Sequence, residues 1–495
     1  MKLKAAIFGL AATTMLSACM DPGGQPGDPV VEFSNAEYQV NEADGTATIT
    51  VVRKGDSSTP VSIGYSTNPD TATPGSDYRR TSGVLQWQPG DPAEKTFDIP
   101  ILADTELERR ERIVLNLGSA DGVEIGTTDR ATLTILDSAC AGELSDNITA
   151  PRTLSNGCYL VTNDIFVQPG GRLTIEPGAT LIFEAGARMQ VEEGGALIAV
   201  GTPEQPITFT AAQKEPGYWN GLSFFGSDDD ANQLSHVKLE YGGLGPDGAN
   251  LSVRGNSFSG ARLKISDVHL TGSGGYGFHF AEDAQIDNFT GIVTAGNESG
   301  AGLMPMTLIP VLDPASSHFA GNKRDYLDIL PGALETDQNW PQLDVPYGMR
   351  AGGHRIHASL TLAPGVVLGF ARAASLIIED SGVLTAQGTD EQRIRLTGQK
   401  AESGYWAGLE IAGTPDEGDN TIVPSRLDYC SIEYAGGGFQ GAISLTGRTG
   451  ISLASISHSN IIGSAGYGIW LAPENAFIQQ SGNYFGDDQA GDINF

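Results

Sequence analysis

The sequence predicts an all-β protein of two units: a sandwich of short strands, then a right-handed coil of short parallel strands with an internal tandem duplication. Three observations predict it. Between residues 30 and 137, stretches of period-two apolar alternation recur between turn residues. Beyond residue 159, apolar positions return every eight residues, as at Leu173, Leu181, Met189 and Leu197. The hexapeptide GYWNGL at residues 217–222 comes back as GYWAGL at 404–409. Long helical patterns are nearly absent. The chain is also too long for one ordinary core, at 495 residues.

The chain opens with a basic Met1-Lys2-Leu3-Lys4, an apolar stretch over residues 5–16, and then Leu16-Ser17-Ala18-Cys19. The apolar stretch is too short to span a bilayer comfortably. This start resembles a bacterial lipoprotein signal with its lipobox. The resemblance implies a signal peptide over 1–18, cleavage before Cys19, and acylation of Cys19, making the membrane a partner through a lipid anchor. Met20 follows Cys19, where the sorting rule reads Asp as a retention signal. That implies the outer membrane of a Gram-negative cell envelope, or the cell surface. Residues 19–29, which include PGGQPGDP, read as a flexible tether.

Residues 30–137 carry strand patterns in TATITVVR, VSIGYST, KTFDIPIL, RIVLNL and RATLTILD, with acidic residues gathered in the turns. About seven short strands in such a length read as a Greek-key sandwich. The segments VNEADGTATITVVRKG, TATPGSDYRRTSGVLQW, DTELERRERIVLNL and ATLTILD resemble a Calx-beta domain, in the right order and across the whole segment. The resemblance implies an immunoglobulin-like sandwich that binds Ca²⁺ at one end. Its acidic positions fall on Glu42, Asp77, Asp104, Glu108 and Glu111. A hard cation that takes six to eight oxygens suits such a cluster. The chain departs from the family motif at Ala103-Asp104 and Asp137-Ser138, where more acidic residues are usual. Fewer or weaker calcium sites are therefore expected than in the strongest members.

Cys140 and Cys158 bracket a short polar stretch and are expected to form a disulfide across a linker at 138–158. Cys430, in LDYCSIEY, is expected to be a buried thiol. No Cys/His spacing suggests zinc.

The repeated hexapeptide is part of a longer match. Tyr218 and Tyr405 stand 187 residues apart, and at that offset residues 173–224 align with 360–411 without a gap. Leu181 meets Leu368, Phe183 meets Phe370, Val191 meets Ile378 and Leu222 meets Leu409. The positions between them drift: Gln190 meets Ile377, and Thr208 meets Arg395. One parity is held because one strand face is buried and the other wet. Three eight-residue arms make a coil of about 24 residues. The architecture is a right-handed parallel β-helix, with a first copy over 159–337, a bridging segment over 338–359 and a second copy over 360–495. With LTIEPGATLIF and GTPEQPITFT, residues 158–495 resemble bacterial extracellular β-helix proteins, a resemblance that specifies fold far more than function.

Composition narrows the function. The 60 acidic and 29 basic residues give a net charge of −31, which argues against nucleic acid as a partner. Tyr218, Trp219, Tyr405 and Trp406 read either as a platform for sugar rings or as flat covers for a repeated corner. Their return in both halves favours the cover. Asp228, Asp229, Asp230, Lys238, Glu240, Asp267, His269 and His279 could serve catalysis, but no spacing gathers them, and no catalytic residue is assigned. The sequence reading is an outer-membrane-anchored, extracytoplasmic binding, adhesion or scaffold protein with Ca²⁺ as cofactor and a glycan or surface protein as partner. A polysaccharide lyase or glycoside hydrolase, and a passive surface stalk, are the alternatives.

Overall fold

The structure, a computed structural model, describes residues 27–104, 110–136, 140, 142–413 and 423–494. The chain divides after Ser138 into two compact units. Among the described residues, no helix is long and apolar enough to cross a membrane.

The first unit is a sandwich of two sheets. One runs Glu94–Pro100, Thr46–Lys54, Val30–Phe33, Glu124–Ile125, in spatial order. The other runs Glu37–Asn41, Arg130–Leu136, Glu111–Asp121, Val61–Pro69, Ser82–Trp87. The alternation that predicts the strands also builds the core. Thr46–Lys54 buries Ala47, Ile49, Val51 and Arg53 and turns the residues between them outward. Tyr65 and Phe97 stack between the two sheets, with ring centroids 3.9 Å apart. Trp87 is fully buried and donates its indole N–H to the Ala93 carbonyl at 3.2 Å.

The second unit is a parallel β-helix. Arg172–Ile175, Thr180–Phe183 and Arg188–Glu192 are the first, second and third arms of one coil. Leu173 pairs in register with Leu197, so the coil closes after 24 residues. Leu173, Leu181, Met189 and Leu197 are all fully buried. Each such side chain contributes about 1.5–3 kcal/mol relative to exposure. Cys140 and Cys158 are joined by a disulfide with Cα atoms 4.3 Å apart. Both lie in this unit, where Gly142–Leu144 pairs with Cys158–Val161, so the bond fastens the first coil to itself. Residues 338–359 form a coil of the same stack: Gln338–Trp340 pairs with Ser359–Leu362, and Tyr347–Met349 with Leu327–Leu330. Trp340 is fully buried there, its ring centroid 5.3 Å from that of Tyr347.

The duplication reaches the backbone. The first and second arms meet at a one-residue left-handed corner, at His236 (φ 50°) and Asp267 (φ 54°) in successive coils. The matching positions of the second copy are Tyr429 (φ 48°) and His458 (φ 49°). A left-handed conformation costs an ordinary residue about 1–2 kcal/mol, so its recurrence marks an inherited bend. The next corner holds Gly291 (φ 64°) and, in the second copy, Gly482 (φ 63°), where no Cβ resists the bend.

The copies do not stack arm on arm. Leu181 and Phe209 of the first copy's second arm belong to one sheet, whereas their counterparts Leu368 and Leu396 belong to another. That other sheet is the one containing Met189 and Leu222 of the first copy's third arm. It runs on through Gly300–Pro305, Leu327–Leu330 and Tyr347–Met349 into the second copy, while the two remaining ladders start afresh at Gly332–Leu334 and Gln338–Trp340. The second copy is thus displaced by one arm around the axis.

Candidate functional site

Two places gather polar chemistry that the fold itself does not require: the acidic end of the sandwich and a cleft on the β-helix.

At the sandwich, Glu42 opens the 3₁₀ turn Glu42–Asp44, and Asp77 closes a turn over residues 73–77. Both are nearly inaccessible, at 3% exposure each. The chain at 101–104 passes between these turns. Ile101 N–H donates to the Gly45 carbonyl at 3.0 Å and Leu102 N–H to the Asp77 carbonyl at 2.9 Å. Asp104 N–H donates to Glu42 Oε1 at 3.1 Å. Asp77 Oδ2 accepts from Thr73 N–H. Three of the five predicted ligands, Glu42, Asp77 and Asp104, therefore share one end. Glu111 begins the strand Glu111–Asp121, and Glu108 lies outside the described residues, as does Cys19. Two desolvated carboxylates beside backbone carbonyls are a donor set suited to a hard cation. Among the described residues, however, no three His, Cys, Asp or Glu side chains are already drawn together as a metal site.

The aromatic pairs are corner covers. Trp219 is fully buried, stacks on Phe183 at 3.9 Å and donates its indole N–H to the Glu240 carbonyl at 2.7 Å. Trp406 is also fully buried, with Phe370 at 3.9 Å and the Glu433 carbonyl at 2.9 Å. Tyr405 is buried beneath Arg372, and Tyr218 packs half-buried against the core. The sugar-platform reading of Tyr218, Trp219, Tyr405 and Trp406 is corrected on this point: neither indole face is open to a ring.

The cleft encloses about 390 Å³ and is lined by Pro203, Pro206, His236, Lys238, Asp267 and His269, among others. Lys238 and His269 are register partners on adjacent strands, Gln233–Glu240 and Ala261–Thr271. His236 Nε2 lies 3.9 Å from Asp267 Oδ2. Burial, and after it the neighbouring Lys238 charge, hold the His269 imidazole below its ordinary pKa. The structure thus unites Lys238, Asp267 and His269, brings Glu240 close enough for its charge to act on His269, and leaves the remaining sequence candidates elsewhere. Asp229 and Asp230 pair with Arg172 and Arg262. His279 meets the Asp247 carbonyl at 3.2 Å, and Glu240 accepts from Thr210 at 3.0 Å.

Two further charged groupings escaped the sequence reading. Buried Asp328 accepts from Tyr276 Oη at 2.6 Å and from Arg324 and Arg350. Burial, followed by the Asp328 charge, pushes the Tyr276 phenol up to about 12. In the second copy, Arg448 bridges Glu379 at 3.1 Å and Glu410 at 3.2 Å, while Arg355 and His357 also meet Glu379. Arg448 and Glu379 lie 69 positions apart in the chain, beyond the reach of any local motif.

Comparison with known proteins agrees with this division. Residues 27–139 match the family model described as the Calx-beta domain, and residues 142–253 match that described as a pectate-lyase-like beta helix domain. The extracellular matrix organizing protein FRAS1 of Mus musculus is 38% identical over 123 residues, covering 23% of this chain and 3% of that protein. The sodium/calcium exchanger Calx of Drosophila melanogaster is 35% identical over 117 residues, covering 23% and 12%. Sodium/calcium exchanger 1 of Rattus norvegicus is 32% identical over 136 residues, covering 23% and 14%. The chain therefore spans only a small part of these relatives' length. Among solved structures, the apo-form Calx CBD1 domain is 33% identical, covering 22% of this chain and 98% of that one, with a TM-score of 0.22. The calcium binding domain CBD12 of CALX1.1 is 31% identical, covering 26% and 53%, with a TM-score of 0.23. The chain joins a Calx-beta domain to a pectate-lyase-like beta-helix domain.

Proposed function

We propose that this is a calcium-binding adhesion or scaffold protein of a bacterial envelope, tethered to the outer membrane through lipid on Cys19. One observation carries the calcium reading: Glu42 and Asp77, each 3% exposed, lie at the same end of the sandwich as Asp104, whose backbone N–H donates to Glu42 Oε1. The buried carboxylates of Glu42 and Asp77, with backbone carbonyls beside them, offer the hard oxygen donors that a divalent cation takes. Relatives named as sodium/calcium exchangers and as an extracellular matrix organizing protein support the reading for the sandwich. Glu108 and Glu111 would complete the ligand set. The β-helix then serves as the extended surface that meets a glycan or a surface protein.

The test is thermal unfolding of the full chain with Ca²⁺ and with chelator. Calcium should raise the melting temperature of the sandwich transition, and Asp77→Asn should remove the rise. A transition indifferent to calcium would refute the reading. The anchor is tested by metabolic labelling with a fatty acid, which Cys19→Ser should abolish. A second reading, a polysaccharide-active enzyme, draws on the cleft holding Lys238, His269 and Asp267. Shortening of polysaccharide chains on incubation with the protein would establish it, and retention without shortening would favour adhesion.

A further inference from the structure

The two copies treat one corner differently. In both, a loop between the first and second arms crosses the left-handed corner. In the second copy that loop carries Arg393, which donates to the His458 carbonyl at 2.8 Å and lies 5.5 Å over the Tyr429 ring. Tyr429 in turn stacks on His458 at 4.8 Å. The corner is thereby filled by the chain's own guanidinium. In the first copy the position of Arg393 is Pro206, which offers no charge and reaches no carbonyl across the corner. Tyr429 and His458 are replaced by His236 and Asp267. What the second copy fills, the first leaves as a cleft of about 390 Å³.

The floor of the cleft has also changed character. Lys238 and His269 stand where the second copy has Ser431 and Asn460, and each pair is in register across adjacent strands. Strands of one sheet lie about 4.8 Å apart, so the lysine and imidazole nitrogens can converge on one group. Among the described residues Lys238 makes no ion pair. Its nearest acidic neighbour along the strand, Glu240, is held by Thr210, and Asp267 faces His236. Among the described residues Lys238 is thus an amine with no carboxylate at ion-pair distance, while the Glu240 and Asp267 charges act on His269 beside it. Pro203 and Pro206 supply an apolar wall. A small apolar wall with a few convergent polar groups is the usual composition of a small-ligand site.

We propose that this first-copy cleft binds a small organic anion of about monosaccharide size, its oxyanion held by Lys238 and His269 and its apolar face laid on Pro203 and Pro206. The site deepens the reading of the β-helix as a binding surface and is independent of calcium in the sandwich. The carboxylate of an acidic sugar and the sulfate ester of a sulfated one offer the same chemistry.

Isothermal titration of the full chain with D-glucuronate, D-glucose 6-sulfate and D-glucose tests it. At least one of the two acids should bind, and more tightly than D-glucose; the tighter acid names the source. Replacing the pair by the second copy's residues, Lys238→Ser with His269→Asn, should weaken that binding at least about 10-fold, the loss expected for charge-assisted hydrogen bonds. Lys238→Arg should retain most of it. Both side chains lie on the outward strand face, and an unchanged melting temperature would verify folding. Neither acid exceeding D-glucose, or the double variant binding within about 2-fold of wild type, overturns the proposal. The calcium response of the sandwich should persist in all variants, so failure here and failure of the calcium reading are separately visible.

Discussion

Replacing Trp219 by Ala should destabilise the β-helix without touching ligand binding. The indole is fully buried, stacked at 3.9 Å on Phe183, and bonded at 2.7 Å to the Glu240 carbonyl. Truncating a buried aromatic of this size costs about 3–5 kcal/mol, from lost transfer energy and the cavity left behind. Trp219→Phe keeps an aromatic stack but loses the N–H donor, and should cost about 1–2 kcal/mol, much of it from the Glu240 carbonyl losing its partner. Trp406 has the same environment, with Phe370 and the Glu433 carbonyl in place of Phe183 and Glu240. Its substitutions should match those at Trp219. The two corners stand about seven coils apart, roughly 35 Å at one strand spacing per coil, so the double variant should be additive to within about 0.5 kcal/mol. Guanidinium unfolding gives the totals, and native-state hydrogen exchange assigns each loss to its own coils. A loss below about 1 kcal/mol for Trp219→Ala would refute the corner-cover argument. Unchanged stability with lost glycan retention would restore the sugar platform.

Three further outcomes are expected. In chelator, Asp77→Asn should melt no lower than wild type, because it removes a buried charge while keeping an acceptor for Thr73; calorimetry of the sandwich transition checks this. His357→Gln should lower the melting temperature at acidic pH. Burial opposes protonation of His357, but Glu335 at 2.9 Å and Glu379 at 3.4 Å outweigh it, so its folded pKa lies above the ordinary 6.5. The stabilisation is then complete below that ordinary value and fades as pH rises through the folded pKa. The difference between wild type and variant should shrink accordingly across a pH series, and a difference that grew with pH would contradict it. Burial, and after it the Asp428 charge, push the Cys430 thiol up to about 12. With Cys19 removed, the native chain should not react with a thiol reagent at about pH 8, and the unfolded chain should release one equivalent.

The sequence by itself determined the two folds and the duplication. Inward strand positions carry their identity locally, since Leu173, Leu181, Met189 and Leu197 must be apolar whatever lies beyond them. The acidic turns of the sandwich were legible for the same reason, although the separation of 62 positions between Glu42 and Asp104 hid their hydrogen bond. Tertiary structure decided which side of a repeated motif faces water. Tyr-Trp reads alike as cover or platform until Phe183 and Phe370 are seen beneath the indoles. It decided which charges meet, because the loops between coils vary in length and alignment along the chain does not give register between strands. Lys238 and His269 are neighbours only through that register, and Arg448 reaches Glu379 across separate coils. It also decided the one-arm displacement of the second copy. The inward pattern of each arm is apolar and hence interchangeable, so only the ladder through Leu327–Leu330 and Tyr347–Met349 fixes which arm stacks on which.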